Sequence, residues 1–187
     1  MIKEKEELIE IPKEIQVDVD GNTVRFKFQN KEVSRYFKAA GIKIKKLDDS
    51  LKVTTSRSRK NNYAIMKTIA SHIRNLIYGL EHGYEYKLEI VYSHFPMNVT
   101  VKEGYVEISN LAGEKKAIKA KIVGNATVEV KGKEIIVRGI NKEEAGQTAA
   151  NLEKTTKLKN RDTRVFQDGI YIVSKPKIAA IVGAEEK

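Results

Sequence analysis

The sequence predicts an α+β fold made of two homologous domains, and three observations carry that expectation. Several short runs alternate apolar and polar residues around glycine-containing turns, the signature of antiparallel hairpins. Two longer stretches instead space their apolar residues three and four apart, as amphipathic helices do. The order hairpin, long connection, hairpin, helix then occurs twice along the 187 residues. Each half should therefore be a small, mostly antiparallel sheet with one main helix packed on it.

Residues 1–10 are polar and are expected to fray. Ile15, Val17 and Val19 alternate with polar residues up to Asp20-Gly21-Asn22, a turn that tolerates positive φ, and Val24, Phe26 and Phe28 alternate back. Ile42, Ile44 and Leu47 form a short strand, Asp48-Asp49-Ser50 a turn, and Leu51 and Val53 the return. The first helix follows. Ile65, Ile69, Ile73, Leu76, Ile77 and Leu80 share one face, Asn61 or Asn62 can cap the start, and Gly79 or Gly83 can end it.

From Gly83 the period returns to two, with Tyr84, Tyr86, Leu88, Ile90 and Tyr92 on one face and Glu85, Lys87 and Glu89 on the other. Two hairpins come next: Val99 and Val101 returning through Tyr105, Val106 and Ile108, then Val128 and Val130 returning through Ile135 and Val137. A second helix fits Lys142 to about Lys154, with Ala145, Ala149 and Leu152 inward. Pro12 and Pro96 lie 84 residues apart, Gly21 and Gly104 83, and Val53 and Val137 84. This degenerate repeat divides the chain into an N-terminal domain (1–81), a C-terminal domain (82–176) and a flexible tail (177–187). Only the second half goes on after its helix, into a basic stretch and an extra strand expected at Phe166 to Val173.

The net charge of +10 and pI of about 9.5 favour a polyanionic partner, nucleic acid before a membrane surface. The absence of cysteine excludes disulfides, thiolate metal sites and cysteine nucleophiles. The first ten residues, MIKEKEELIE, have no apolar core of a signal peptide, and no run approaches the length of a membrane span.

Lys154 to Lys177 hold seven Lys/Arg against two Asp. Lys157, Lys159, Arg161 and Arg164 fall within eight residues, interleaved with Thr155, Thr156, Asn160 and Thr163. Arg forks and Lys charges suit phosphate oxygens, and small polar groups suit phosphates and ribose hydroxyls. The plainer alternative is a solvated loop. Asp162 and Asp168 read as residues that orient neighbouring arginines or make turns, and Asp168-Gly169 as a turn dipeptide. Arg57-Ser58-Arg59-Lys60 is a second basic cluster, equally compatible with RNA contact and with a solvated connection. Bulk charge does not single out the C-terminal half: residues 1–80 carry 17 basic and 10 acidic residues, and 81–187 carry 18 and 15.

His72, His82 and His94 have no metal-ligand spacing, and no nucleophile elbow, phosphate loop or dinucleotide glycine pattern occurs. No cofactor or metal is expected. The Tyr84/Tyr86/Tyr92 stripe reads as core rather than as a base-stacking platform.

NRDTRVFQDGIYIV (160–173) resembles the C-terminal signature of the large-subunit ribosomal protein six family in its archaeal and eukaryotic branch. SHFPMNVTV (93–101), TVEVKGKEIIVRGINKEEAGQTAANLEKTTK (127–157) and SHIRNLIYGLEHGYEYKLEIVYSHFP (71–96) resemble the same family. The resemblance implies a duplicated α+β fold, a cytoplasmic ribosome, and rRNA binding near the stalk base and sarcin-ricin loop, where translational GTPases dock beside stalk-base proteins. It implies that the C-terminal domain makes the main rRNA contacts. Residue by residue it points to Thr155, Lys157, Lys159, Asn160, Arg161, Thr163, Arg164 and Gly169. Lys175 and the cluster Arg57, Arg59 and Lys60 are secondary candidates from charge. The bacterial branch has a Gly/Lys-rich segment here that this chain lacks.

The expected function is thus a non-catalytic rRNA-binding component of the large subunit. The rival readings are an RNA-processing enzyme, for which no paired carboxylates or histidine constellation appears, and a basic RNA-binding protein outside the ribosome.

Overall fold

The structure is a computed structural model that describes residues 5–29, 31–39, 41–55, 60–93, 95–158, 161–162 and 164–176. The chain divides into two compact units, Met1–Gly83 and Tyr84–Lys187.

The first unit runs β1 (Lys5–Glu10), β2 (Gln16–Asp20), β3 (Thr23–Phe28), β4 (Lys31–Tyr36), β5 (Ile42–Lys46), β6 (Ser50–Thr55) and α1 (Lys60–Glu81). It holds two three-stranded antiparallel sheets, ordered β2-β3-β4 and β1-β6-β5. Val17 pairs with Phe26 and Val19 with Val24, as the alternation requires, and Gly21 takes φ +59 in the turn. Helix α1 packs on β1, β6, β3 and β4. Its buried face is Met66, Ile69, Ala70, Ile73, Leu76, Ile77 and Leu80. Burying each large aliphatic side chain stabilises the unit by about 1.5–3 kcal/mol. The helix ends because Gly83, at φ +72, turns its N–H back to the Gly79 carbonyl at 3.0 Å.

The second unit repeats this plan. It runs β7 (Tyr84–Val91), β8 (Asn98–Lys102), β9 (Tyr105–Ser109), β10 (Ile118–Lys121), β11 (Thr127–Lys131), β12 (Glu134–Gly139), α2 (Lys142–Thr156) and β13 (Gly169–Ser174). Its sheets are β10-β9-β8 and β11-β12-β7-β13. The order β5-β6-β1 of the first unit matches β11-β12-β7 of the second, and β4-β3-β2 matches β10-β9-β8. The duplication is therefore visible in strand order, and β13 is the addition, laid antiparallel on the free side of β7. Asn141 caps α2, its side-chain oxygen accepting the Glu143 N–H at 3.1 Å. Ala145, Ala149 and Leu152 pack into a core with Tyr86, Leu88 and Ile135. The tyrosine stripe is accordingly core: Tyr84 and Tyr86 are buried, and Tyr92 packs at the margin.

Several expectations need correction. Residues 5–10 do not fray; they form β1, pair with β6 along their whole length and bury Ile9. Strands β4 and β10 lie in what read as long connections. In β4 only half-buried Val33 and Arg35 alternate with exposed residues, so the apolar signal is weak. Ile65 is exposed and Met66 takes its place on the buried face, while Leu47 lies beyond the end of β5. Asn61 and Asn62 lie inside the first turn of α1 rather than capping it. The last strand begins at Gly169, so Phe166 stands outside it. The tail 177–187 falls outside the described residues.

Candidate nucleic-acid interface

The basic segment leaves α2 at its C-terminal end and returns into β13. Two backbone anchors bracket it. The buried hydroxyl of Thr156, the last residue of α2, accepts the Ile170 N–H at 2.9 Å. The Asp168 carboxylate, also buried, accepts the Ser93 N–H at 2.8 Å, tying the approach to β13 to the chain leaving β7. Leu158 adds an apolar contact to the core just past the helix. Thr156 is therefore a structural residue and not a candidate ligand-facing one, and Asp168 holds backbone rather than orienting an arginine.

Between the anchors, Asp162 nucleates a tight turn. Its carbonyl accepts the Val165 and Phe166 N–H groups at 3.1 and 2.9 Å. Its carboxylate accepts the Arg164 N–H at 3.0 Å and lies 3.3 Å from the guanidinium. The Arg164 N–H, and secondarily its guanidinium, hold the Asp162 carboxyl below the usual range, because both favour the charged form. The Arg164 side chain is nevertheless 89% exposed, so its fork remains open to another anion. Arg161 lies with its guanidinium 4.9 Å from the centre of the Phe166 ring, a cation–π contact that limits its orientations.

The placement of the candidate residues is uneven. Lys157, Arg161, Arg164 and Lys175 are exposed, and Thr155 is half-buried. Among the described residues no carboxylate pairs with Lys157 or Arg161. Gly169 is buried, with the Thr156 carbonyl 3.5 Å from where a Cβ would stand, so its place is in the packing of β13 against α2. Lys159, Asn160 and Thr163 lie outside the described residues, as do Arg57 and Arg59. Lys60 is exposed at the first residue of α1 in the other unit. His94 also falls outside; His82 stacks on Tyr78 with ring centres 4.7 Å apart. Among the described residues no cluster of three His, Cys, Asp or Glu could hold a metal ion, and no helix is long and apolar enough to cross a membrane.

Sequence reasoning missed the support given by Phe166, which read as part of the strand, and the anchoring roles of Thr156 and Asp168. A buried hydroxyl closing a helix gives no periodic signal.

A family model described as Ribosomal protein L6 matches residues 95–169, from the approach to β8 through the whole basic segment. The Large ribosomal subunit protein uL6 of Archaeoglobus fulgidus is 46% identical over 177 residues, covering 92% of this chain and 90% of that protein. The chain belongs to the ribosomal protein L6 family. The uL6 proteins of Methanococcus vannielii and Methanosarcina mazei are 49% and 47% identical, covering 90% and 94% of this chain and 93% and 99% of theirs. The archaeal resemblance of the signature segments is thus borne out over most of the chain. L6-family membership makes the chain a ribosomal protein rather than an enzyme.

Proposed function

We propose that this L6-family chain is a structural component of the large subunit of cytoplasmic ribosomes, and that it binds large-subunit rRNA mainly through residues 82–176. The observation that carries the reading is the mounting of the segment after α2. Exposed cations stand between two buried backbone anchors, Thr156 to Ile170 and Asp168 to Ser93. Anchors at both ends lower the ordering cost that the segment meets on binding. Its groups suit phosphate and ribose contacts, which read RNA shape rather than sequence. Lys157, Lys159, Arg161 and Arg164 supply charge, and Thr155, Asn160 and Thr163 supply hydrogen bonds. Gly169 supports the segment from within the sheet, and Lys175 lies just past its far end. Arg57, Arg59 and Lys60 form a secondary contact.

The relatives are named as large ribosomal subunit proteins, which supports the same place for this chain. Within the subunit it sits near the stalk base and sarcin-ricin loop, next to stalk-base proteins and the docking site of translational GTPases. The test is binding to an rRNA transcript containing those two regions, with Lys159, Arg161 and Arg164 changed to Ala. Each phosphate that the variant no longer neutralises should reduce the slope of log affinity against log salt by about 0.9. An unchanged affinity and slope would remove the segment from the interface.

A further inference from the structure

The duplication offers an internal comparison. The outward faces of β2-β3-β4 and β8-β9-β10 are equivalent by topology, so differences between them mark what each unit has added. In the first unit, Val24 and Phe26 are buried, so their neighbours Arg25 and Lys27 face outward. Across the register they meet Asp18 and Glu32, with Asp20 on the same face. Three acids there oppose two bases.

In the second unit the balance is reversed. Val106, Ile108 and Ala120 are buried, and Tyr105, Glu107, Lys119 and Lys121 alternate with them on the outward face. The register sets Lys102 and Lys121 on either side of Tyr105, and Thr100 and Lys119 on either side of Glu107. Three lysines thus accompany a single acid. Lys102 and Glu107 form an ion pair, which leaves the charge of Lys119 and Lys121 in surplus. Lys119 stands with its ammonium 4.8 Å from the centre of the Tyr105 ring. The remaining outward residues, Asn98, Thr100 and Ser109, are small and polar.

From this divergence we infer that the outward face of β8-β9-β10 is a second RNA-binding surface of the chain, gripping sugar-phosphate backbone through Lys119 and Lys121 beside Tyr105. The inference rests on the rRNA-binding reading above. Two residues apart on one strand, these lysines stand about 6.8 Å from each other, far enough to serve different phosphates. Tyr105 offers a half-exposed ring flanked by ammonium groups, suited to a ribose or an unpaired base. Thr100, Asn98 and Ser109 can bond phosphate oxygens and 2′-hydroxyls. A positive surplus on a polar, rigid sheet complements a phosphate backbone, whereas the equivalent face of the first unit would repel one.

The experiment combines a variant with footprinting. The full chain carrying Lys119→Gln and Lys121→Gln is titrated with a full-length large-subunit rRNA transcript at several salt concentrations, beside a Lys157→Gln, Arg161→Gln, Arg164→Gln variant. Circular dichroism checks that both fold, as the exposure of all five substituted side chains allows. The sheet-face variant should reduce the salt slope by about 1.8, two duplex phosphates' worth. Lysine acetylation of the wild type, read by mass spectrometry, should show Lys119 and Lys121 protected by the transcript.

If the slope and the protection are unchanged while the loop variant binds more weakly, the sheet face is not an RNA surface and the primary reading stands. If the sheet-face variant weakens binding and the loop variant does not, the second surface stands and the assignment of the loop fails. Protection inside assembled subunits without protection by naked rRNA would assign the face to a neighbouring protein and overturn the inference.

Discussion

Thr156 and Ile170 are joined across the ends of the basic segment by one hydrogen bond, 2.9 Å from the Ile170 N–H to the Thr156 hydroxyl. The hydroxyl proton is shared in turn between the Leu152 and Glu153 carbonyls, each 3.1 Å away. The next outward N–H of β13, that of Ile172, meets the Glu153 carboxylate at 3.3 Å. Side chains of α2 therefore cover the open edge of the added strand, where an exposed edge would invite pairing with other chains.

Thr156→Val keeps the side-chain volume but leaves the buried Ile170 N–H without an acceptor. It should cost roughly 1–3 kcal/mol in urea unfolding, while Thr156→Ser retains most of the stability. Equal losses for the two variants would place the effect in packing rather than in the hydrogen bond.

Asp162 provides a pH test. Its folded carboxyl is held low first by the Arg164 backbone N–H and then by the guanidinium. The contribution of this turn is present above the ordinary Asp pKa and is lost as pH falls through the depressed folded value. In an NMR titration Asp162 should protonate below the ordinary Asp range, and Arg164→Ala should relax that only in part, since the backbone donor remains. A return to the ordinary midpoint in Arg164→Ala would make the guanidinium the main cause.

Gly124 carries a positive φ of 58° and faces Glu144, whose carboxylate occupies the space that a Cβ would need. That carboxylate accepts the Asn125 N–H at 3.0 Å and an Asn141 side-chain N–H at 3.1 Å. Gly124→Ala must both adopt the left-handed conformation and displace the carboxylate. It should cost about 1–3 kcal/mol, read as a lowered melting temperature. An unchanged melting temperature would show that the loop rearranges freely.

Periodicity made most of the fold legible. Ile69, Ile73 and Leu80 on α1, and Tyr86, Leu88 and Ile90 on β7, are buried as their spacing requires. What it could not show were elements held by pairing rather than by apolar alternation. Strand β1 offers Glu6, Glu7 and Glu10 beside a single well-buried Ile9, and its place depends on β6, which is distant in sequence. In the basic segment, Arg161 and Arg164 were legible as exposed cations because charge resists burial. The contributions of Thr156, Asp168 and Phe166 were not, because each depends on a partner brought near only by the fold.

Phe166 supports Arg161 through its ring face. Phe166→Leu keeps an apolar residue at this half-buried position and removes the quadrupole. Losing about 0.5–1 kcal/mol of cation–π support should weaken rRNA binding roughly 2–5-fold with little change in melting temperature. Weakening that tracks a lost fold instead would assign Phe166 to packing alone.

The central claim, that the segment between α2 and β13 lies against rRNA, has a direct measurement. The chain contains no cysteine, so Val165→Cys creates a unique attachment point at a residue 63% exposed within the segment. An iron chelate tethered there, in reconstituted large subunits, cleaves nearby rRNA when hydroxyl radicals are generated. The same chelate at Lys45→Cys, on β5 of the first unit, serves as comparison. Strong cleavage from position 165, confined to strands of the stalk base and sarcin-ricin loop, is the predicted result. No rRNA cleavage from position 165, in subunits that have incorporated the labelled protein, would contradict it.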